Sequence, residues 1–224
     1  MWGYRLVTWL LKYFIFPVFN GKQQVIIDPE FDPNKQYVII APHRSWMDPM
    51  MISVHFRYPG IRFLAKQELF NNRLIGYLLE NAAGAIPVDR DNPGRKPMKT
   101  MTNELRKGQC HIGIFPTGSR YSTEIKSGAA TVAKLGNVDL LPVAYQGPLT
   151  FRGIFSRRPS HRIKVGIGKP IHLPDKKRLN DEDIKMIDQQ IANAFEQLDH
   201  QIDPTYHYDV EAARAKRDAK KQKR

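Results

Sequence analysis

Short apolar runs recur along the chain, and most of them are continuous rather than alternating with polar residues. Continuous runs are typical of strands that are buried on both faces of a parallel sheet. Longer segments with helical periodicity lie between them. The order strand, helix, strand, helix therefore predicts an α/β fold, with a mostly parallel central sheet flanked by helices. The predicted strands cover residues 25–27, 37–41, 61–65, 85–88, 111–115, 140–144 and 163–167.

Two of the helices can be placed from their end signals. One covers residues 97–107 and stops at Gly108, and a later one begins after Asn180, whose side chain can cap it. The last predicted strand alternates between apolar and other residues, which indicates an edge or half-exposed position in the sheet. The inner face of the later helix comprises Ile184, Ile187, Ile191, Phe195, Leu198 and Ile202.

The length of 224 residues suffices for one good-sized core, and no linker divides the chain. We therefore expect one folded domain over residues 24–205, with a membrane-interface segment at 1–23 and a basic tail at 206–224. The single cysteine, Cys110, excludes an intrachain disulfide bond and favours a cytoplasmic setting.

The net charge is +13, and residues 212–224 carry seven basic residues against one acid. Such a tail attracts polyanions. Nucleic acid and an anionic membrane surface both qualify, and charge alone does not choose between them.

The N-terminal residues 2–19 are rich in aromatic residues and leucine, but Arg5, Thr8 and Lys12 recur at helical spacing. This pattern predicts an amphipathic helix with one polar stripe. The segment is shorter than the about 20 residues that cross a bilayer, and Pro17 would disturb the helix. We expect it to lie on a membrane surface, where aromatic side chains mixed with Arg and Lys are favoured. The alternative is a core helix that docks on the rest of the protein.

A histidine and a carboxylate follow the second predicted strand, at His43 and Asp48. A neutral imidazole accepts a proton near neutral pH, and a carboxylate can hold its ring in the useful tautomer. The pair therefore indicates half of a catalytic site. Asp48 before Pro49 is also a helix-start signal, with Asp as the N-cap residue, and this structural interpretation remains open.

Other polar residues follow other predicted strands. Residues 116–120 combine Gly118 with hydroxyls and Arg120, a composition that suits a phosphate. Arg90 and Lys66 come after two further strands. Carboxyl ends of parallel strands meet in one crevice, so these side chains are expected to converge. Individually, each has a structural alternative: a plain turn, an arginine paired with flanking aspartates, or a surface cation.

Four blocks of this chain, together with a stretch just before the second, resemble the glycerolipid acyltransferases, a family typified by 1-acyl-sn-glycerol-3-phosphate acyltransferase. The resemblance covers roughly residues 37–148 and keeps the family's order and spacing. The matching segments are PHRSWMDP at 42–49, AKQELF at 65–70, GAIPVDR at 84–90, FPTGSR at 115–120 and LPVAY at 141–145. The family normally has glutamate where Thr117 stands, which leaves the acceptor preference open.

The resemblance implies roles for the matching positions. His43 would be the general base for the acceptor hydroxyl, and Asp48 would orient it. The phosphate of a lysophospholipid would be held by Arg90, Thr117, Gly118, Ser119 and Arg120, with Lys66 as a further candidate. Pro142 would border the acyl region. The acyl donor would be a thioester of coenzyme A or of acyl carrier protein, and the chemistry requires no cofactor and no metal.

The resemblance thus implies a peripheral enzyme on the cytoplasmic face of the membrane, bound to anionic phospholipid. It would transfer an acyl group to the sn-2 hydroxyl of lysophosphatidic acid and so make phosphatidic acid. Another lysophospholipid or glycerol 3-phosphate is an alternative acceptor. Two alternatives of other classes are a basic nucleic-acid-binding protein, which leaves the strand-end residues unexplained, and a metal-dependent hydrolase, for which His43 and Asp48 lack a third ligand nearby.

Overall fold

The computed structural model describes residues 2–56, 59–88, 96–126 and 128–222. In chain order the elements are α1 (Trp2–Leu10), a π-helical turn (Leu11–Ile15), α2 (Phe16–Phe19), β1 (Gln24–Ile27), β2 (Tyr37–Ile40), α3 (Asp48–Ser53), β3 (Gly60–Lys66), a 3-10 turn (Gln67–Phe70), α4 (Arg73–Asn81), β4 (Ile86–Val88), α5 (Lys96–Arg106), β5 (Cys110–Ile114), α6 (Gly128–Gly136), β6 (Asp139–Gln146), α7 (Phe151–Ile154), a second 3-10 turn (Pro159–His161), β7 (Lys164–Ile167), α8 (Asp181–Ile202) and α9 (Val210–Gln222).

All seven predicted strands are confirmed and form one sheet in the order β1-β7-β6-β2-β5-β3-β4. Neighbouring strands are parallel except β6 and β7, which are antiparallel. Both faces of the sheet are covered. In β2, for example, Val38 and Ile40 enter one core cluster, while Tyr37 and Ile39 enter the other. This two-sided burial explains why the strands appear in the sequence as continuous apolar runs.

The position expected for the last strand is wrong. Strand β7 lies inside the sheet, between β1 and β6, and the edge strand on that side is β1. The alternation in the sequence came from Lys164, which is half-buried, and from Gly166, which is buried rather than solvent-facing. A Cβ atom there would approach the side chain of Ile202 to 2.9 Å, so the glycine makes room for α8.

The two predicted helices are confirmed as α5 and α8. Helix α8 begins with a capping box, in which the Asn180 side chain accepts from the Asp183 amide and the Asp183 carboxylate accepts from the Asn180 amide. Its predicted inner face is buried from Ile187 to Ile202, and Ile184 at its first turn is half-buried.

The N-terminal segment docks on the domain through one face and exposes apolar residues on the other. The buried Tyr4 hydroxyl donates to the carbonyls of Ser53 and Phe56 at 3.0 and 2.9 Å. Thr8 does not belong to a solvent-facing stripe as expected, because it is buried and its hydroxyl donates to the Tyr4 carbonyl. Among the described residues, no helix is both long and apolar enough to span a membrane.

The sheet register brings the catalytic segments together. Ile40 near the end of β2 pairs with Ile114 at the end of β5 and with Pro142 in β6. Because these strands are parallel, the chain leaves β2 and β5 at the same edge of the sheet. His43 and Thr117 each lie three residues beyond that paired position.

Candidate active site

His43 and Asp48 form a direct pair at this edge. The Nδ1 atom of His43 lies 2.9 Å from Oδ2 of Asp48, and the two side chains are 16% and 2% exposed. A carboxylate on Nδ1 holds that nitrogen as the protonated one, so Nε2 is the nitrogen that can accept a proton. The arrangement is that of an oriented general base.

The same carboxylate oxygen also organises the backbone of the segment. Oδ2 of Asp48 accepts from the amides of Arg44 and Ser45 at 2.6 and 2.7 Å. Asp48 is the first residue of α3 and is not its N-cap residue, a position taken by Met47 without a side-chain bond. The structural alternative is thus only partly correct. Asp48 does begin a helix, but its side chain binds amides that precede the helix rather than amides of the first turn.

An aromatic stack supports the imidazole from one side. The His43 ring lies over Phe115 with 4.3 Å between centroids, and Phe115 lies over Phe63 at 5.3 Å. Gly113 beneath Phe63 has no room for a side chain, because a Cβ atom would lie 2.2 Å from the Phe63 ring. A glycine two residues before Phe115 therefore sets where the stack can lie.

The loop after β5 forms a tight turn. Gly118 has φ +65°, a conformation that favours glycine, and its amide donates to the Phe115 carbonyl. The buried Thr117 hydroxyl donates to the carbonyl of Ser119 at 3.0 Å, and the Ser119 hydroxyl accepts from the Tyr121 amide. The guanidinium of Arg120 lies 5.7 Å from the centre of the Tyr121 ring. Of this predicted phosphate loop, Thr117 directly lines the cleft beside His43.

The remaining predicted residues lie further out. Lys66 is at the carboxyl end of β3 and pairs with Glu68 at 2.7 Å. Pro142 is buried in the middle of β6. Arg90 lies outside the described residues. The described residues contain no group of three His, Cys, Asp or Glu side chains that could hold a metal ion.

The cleft at the edge of the sheet has a volume of about 640 Å³. One wall comes from the strand ends, through Pro42, His43 and Thr117. The opposite wall comes from the end of α8 and from the residues that follow it, including Asp199, Tyr206 and Tyr208. The lining includes both apolar and polar side chains, which suits a substrate that has a polar head and a hydrocarbon chain.

Arg44 ties the catalytic segment to α8. It donates to the Tyr145 carbonyl at 2.9 Å and binds both carboxylate oxygens of Asp199. Burial alone would lower the pKa of this guanidinium, but the charge and hydrogen bonds of Asp199 raise it above its ordinary value. The side chain next to the base is thus a permanently charged structural anchor.

Sequence reasoning missed Arg44, Asp199 and the two tyrosines of the C-terminal segment. Arg44 lies in the matched block, but its partner is 155 residues away along the chain. Residues 206–224 were expected to be a basic tail. In the structure residues 210–222 are helical, and Tyr206 and Tyr208 line the cleft.

Comparison with known proteins places the chain in a family. The acyltransferase family model matches residues 22–146. The 1-acyl-sn-glycerol-3-phosphate acyltransferase of Streptococcus pneumoniae is 39% identical over 77% of this chain and 63% of its own length. That of Bacillus subtilis is 39% identical over 64% of this chain and 73% of its own length. The chain therefore spans less than two thirds of the first of these relatives.

A solved structure agrees with the fold. The 1-acyl-sn-glycerophosphate (LPA) acyltransferase PlsC of Thermotoga maritima matches with a TM-score of 0.58 and 19% identity, over 92% of this chain and 78% of that chain. Nothing in these relatives supports the nucleic-acid-binding alternative. The resemblance seen in the sequence blocks is confirmed, and the chain belongs to the acyltransferase family.

Proposed function

We propose that the protein transfers a fatty acyl group from a thioester to the sn-2 hydroxyl of lysophosphatidic acid, giving phosphatidic acid. The observation that carries this proposal is the His43–Asp48 pair, 2.9 Å apart and at the same sheet edge as the Gly118 loop. The base and the turn both lie three residues beyond paired strand positions. The base would act on the hydroxyl of the acceptor and the turn would bind its phosphate, so the site suits an alcohol that carries a phosphate.

The proposed reaction needs one base and no covalent intermediate on the protein. Nε2 of His43 takes the proton of the acceptor hydroxyl while its oxygen attacks the carbonyl carbon of the thioester. The carbon–sulfur bond then breaks, and the imidazolium returns the proton to the departing thiolate. The products are an ester and a free thiol. Asp48 stabilises the imidazolium and keeps its orientation.

The acceptor phosphate would be bound by the loop after β5. The turn at Gly118 brings backbone close to the cleft, and Arg120 provides a guanidinium for charge-assisted hydrogen bonds. The Thr117 hydroxyl is already used within the turn, so we assign it a structural part and the phosphate contact to its neighbours.

An acyl-transfer assay that crosses donors with acceptors tests this function. The donors are acyl-coenzyme A and acyl carrier protein thioesters, and the acceptors are lysophosphatidic acid, lysophosphatidylcholine, glycerol 3-phosphate and monoacylglycerol. We expect turnover to be fastest with lysophosphatidic acid and nearly lost in His43→Ala. Faster turnover with a phosphate-free acceptor would contradict the acceptor assignment, and substantial turnover by His43→Ala would contradict the base.

We further propose that the enzyme acts at the cytoplasmic face of the membrane. An apolar surface, defined by exposed side chains of α1, the π-helical turn, α2, α4 and α7, supports this. Its parts adjoin. The ring centroids of Phe19 and Phe155 lie 5.0 Å apart, and Gly3 lies against the backbone of Asn81. The surface comprises Leu6, Trp9, Tyr13, Phe14, Phe19, Leu74, Ile75, Tyr77, Phe151 and Phe155.

Basic residues border this apolar surface, as expected for contact with anionic headgroups. Arg152, Arg157, Arg158 and Arg162 are exposed on the segment that leads into β7. Arg157 also donates to the Val18 carbonyl of α2 at 2.8 Å, so this segment and the N-terminal helices form one face. The sequence indicated the helix as a membrane element but gave no signal for α4 or α7.

Vesicle co-sedimentation at near-physiological salt tests the membrane proposal. We expect binding to anionic vesicles that weakens in a Phe151→Ser, Phe155→Ser double variant. Met186→Ser is a matched control, because Met186 is equally exposed but lies on α8, which packs on the other face of the sheet. Equal binding by the double variant and the control would contradict this docking face.

A further inference from the structure

The chain beyond α8 crosses in front of the strand ends. Residues 203–210 follow the last turn of α8 and form part of the cleft wall opposite His43. This segment lies outside residues 22–146, where the family model matches. Its contacts with the catalytic segments are specific hydrogen bonds rather than general packing.

Tyr208 is the residue that touches both catalytic segments. Its hydroxyl oxygen lies 3.1 Å from the Arg44 carbonyl oxygen and 3.2 Å from the Arg120 carbonyl oxygen. The hydroxyl donates one hydrogen that these two acceptors share. Arg44 follows the proposed base directly, and Arg120 belongs to the proposed phosphate loop. One side chain therefore links the two halves of the site.

Further contacts keep Tyr208 in place. The buried Arg44 guanidinium lies under the rings of Tyr206 and Tyr208, at 5.1 and 5.9 Å from their centres. Farther along, Arg214 of α9 donates to the Tyr121 carbonyl at 2.8 Å. The C-terminal part of the chain thus contacts the phosphate loop at Arg120, the residue after that loop at Tyr121, and the base-bearing segment at Arg44.

We propose that Tyr208 is a positioning residue that fixes the distance between the base and the phosphate-binding loop. The inference rests on the proposed function, because it assigns these roles to the two loops. A lysophospholipid presents its hydroxyl and its phosphate at a fixed separation, so the spacing of the two loops decides whether both engage at once. Burial raises the pKa of the Tyr208 phenol, which therefore keeps its proton and remains a donor at neutral pH.

Tyr208→Phe tests the proposal, with Tyr206→Phe as the matched comparison. Both variants keep the ring over Arg44 and lose one hydroxyl, but within the described part of the chain the Tyr206 hydroxyl bonds neither loop. We expect Tyr208→Phe both to lower kcat and to raise the KM for lysophosphatidic acid, so that kcat/KM falls roughly three- to tenfold, the effect of losing one hydrogen bond at a site. Tyr206→Phe should change both constants less.

Comparing the change in kcat with the change in KM separates positioning from a merely structural role. A variant that only loses folded enzyme lowers the apparent kcat and leaves the KM unchanged. Hydrogen exchange of the amides of residues 117–122 provides a readout without activity, and we expect faster exchange in Tyr208→Phe than in Tyr206→Phe. Unchanged exchange in Tyr208→Phe, or equal effects in both variants, would overturn the proposal.

Failure of the proposed function has a different signature. Wild-type protein that does not acylate lysophosphatidic acid contradicts the function. Faster exchange in Tyr208→Phe alone would still establish that the hydroxyl links the loops, and unchanged exchange would overturn the proposed link even if the wild type is active.

Discussion

The two loops that line the same wall of the cleft follow adjacent strands but are built differently. The segment from His43 to Asp48 is closed, since one buried carboxylate oxygen binds the imidazole and two backbone amides. The loop from Phe115 to Arg120 is more open, because Gly118 is exposed. The side-chain hydrogen bonds of this loop are made within the turn itself. Its outer support comes from the C-terminal segment through Tyr208 and Arg214.

This difference matches the roles proposed for the two loops. A general base works only at one orientation, so its geometry is complete before substrate arrives. An anion site has to receive a charged group from solvent and release a product, which favours an exposed turn that is held from outside. The first loop is therefore expected to respond to mutation through kcat, and the second mainly through the KM of the acceptor.

The largest effect is expected for His43→Ala. Removing the base should lower kcat by roughly 10²- to 10⁴-fold, the usual contribution of general base catalysis. Circular dichroism and a thermal melt should show that the variant remains folded, because His43 borders the cleft and, among the described residues, its side chain hydrogen-bonds to Asp48 alone. Substantial turnover with lysophosphatidic acid would remove His43 from the mechanism.

A smaller loss is expected for Asp48→Asn. The amide keeps the shape but carries no charge, so it orients the ring less well and does not stabilise the imidazolium. We expect kcat to fall roughly 10- to 100-fold, the range seen when the partner that orients a metal-bound histidine is removed. If the loss equals or exceeds that of His43→Ala, measured side by side, then the roles assigned to His43 and Asp48 are wrong.

Arg120→Ala tests the open loop. Loss of a charge-assisted hydrogen bond should raise the KM for lysophosphatidic acid roughly tenfold or more, while kcat changes little. The control is a second acceptor rather than a second variant. Monoacylglycerol carries no phosphate, so its KM should not change. Equal increases in the KM values of both acceptors would show that Arg120 does not bind the phosphate.

The smallest effect on turnover is expected in the strands beneath the loops, where the predicted change is a loss of stability in acid rather than a loss of activity. Nδ1 of the buried His111 in β5 accepts from the Tyr37 amide of β2 at 3.1 Å. Burial lowers the pKa of His111 from 6.5 to about 4. Between these values the unfolded chain binds more protons, so the free energy of unfolding falls as the pH falls from 6.5 towards 4, by on the order of 3 kcal/mol at most.

Urea unfolding at several pH values measures this slope. His111→Gln should flatten it, whereas His200→Gln should not, because His200 is exposed on α8. The buried His55, with a pKa also lowered to about 4 by burial, adds to the slope in both variants. A wild-type stability that does not change over this window would contradict the assignment of His111 as a neutral acceptor.

Local pattern was sufficient to predict the strands and the two loops. A strand buried on both faces can be recognised from its own apolar residues. His43, Asp48 and Gly118 lie within a few positions of such strands. The errors have local causes too. Gly166 interrupts an apolar run for reasons of packing, and Thr8 is polar yet buried because its hydroxyl bonds the turn before it.

Long-range partners could not be predicted in this way. Nothing near Arg44 indicates Asp199, and nothing near Tyr208 indicates the carbonyls of Arg44 and Arg120, which are up to 164 residues away. Every residue has a backbone carbonyl, so a sequence does not indicate which carbonyls accept a hydrogen bond from a distant side chain. The C-terminal segment therefore looked like a charged tail until its contacts were visible.

The bond between Arg44 and Asp199 also has a consequence for synthesis on the ribosome. Arg44 lies in the base-bearing segment, and its carboxylate partner comes 155 residues later in the chain. Residues 37–146 contain the strands around the site, but a nascent chain that ends there has no Asp199 to pair with this guanidinium. The base-bearing segment therefore gains its full set of contacts only after the chain has been made through Asp199.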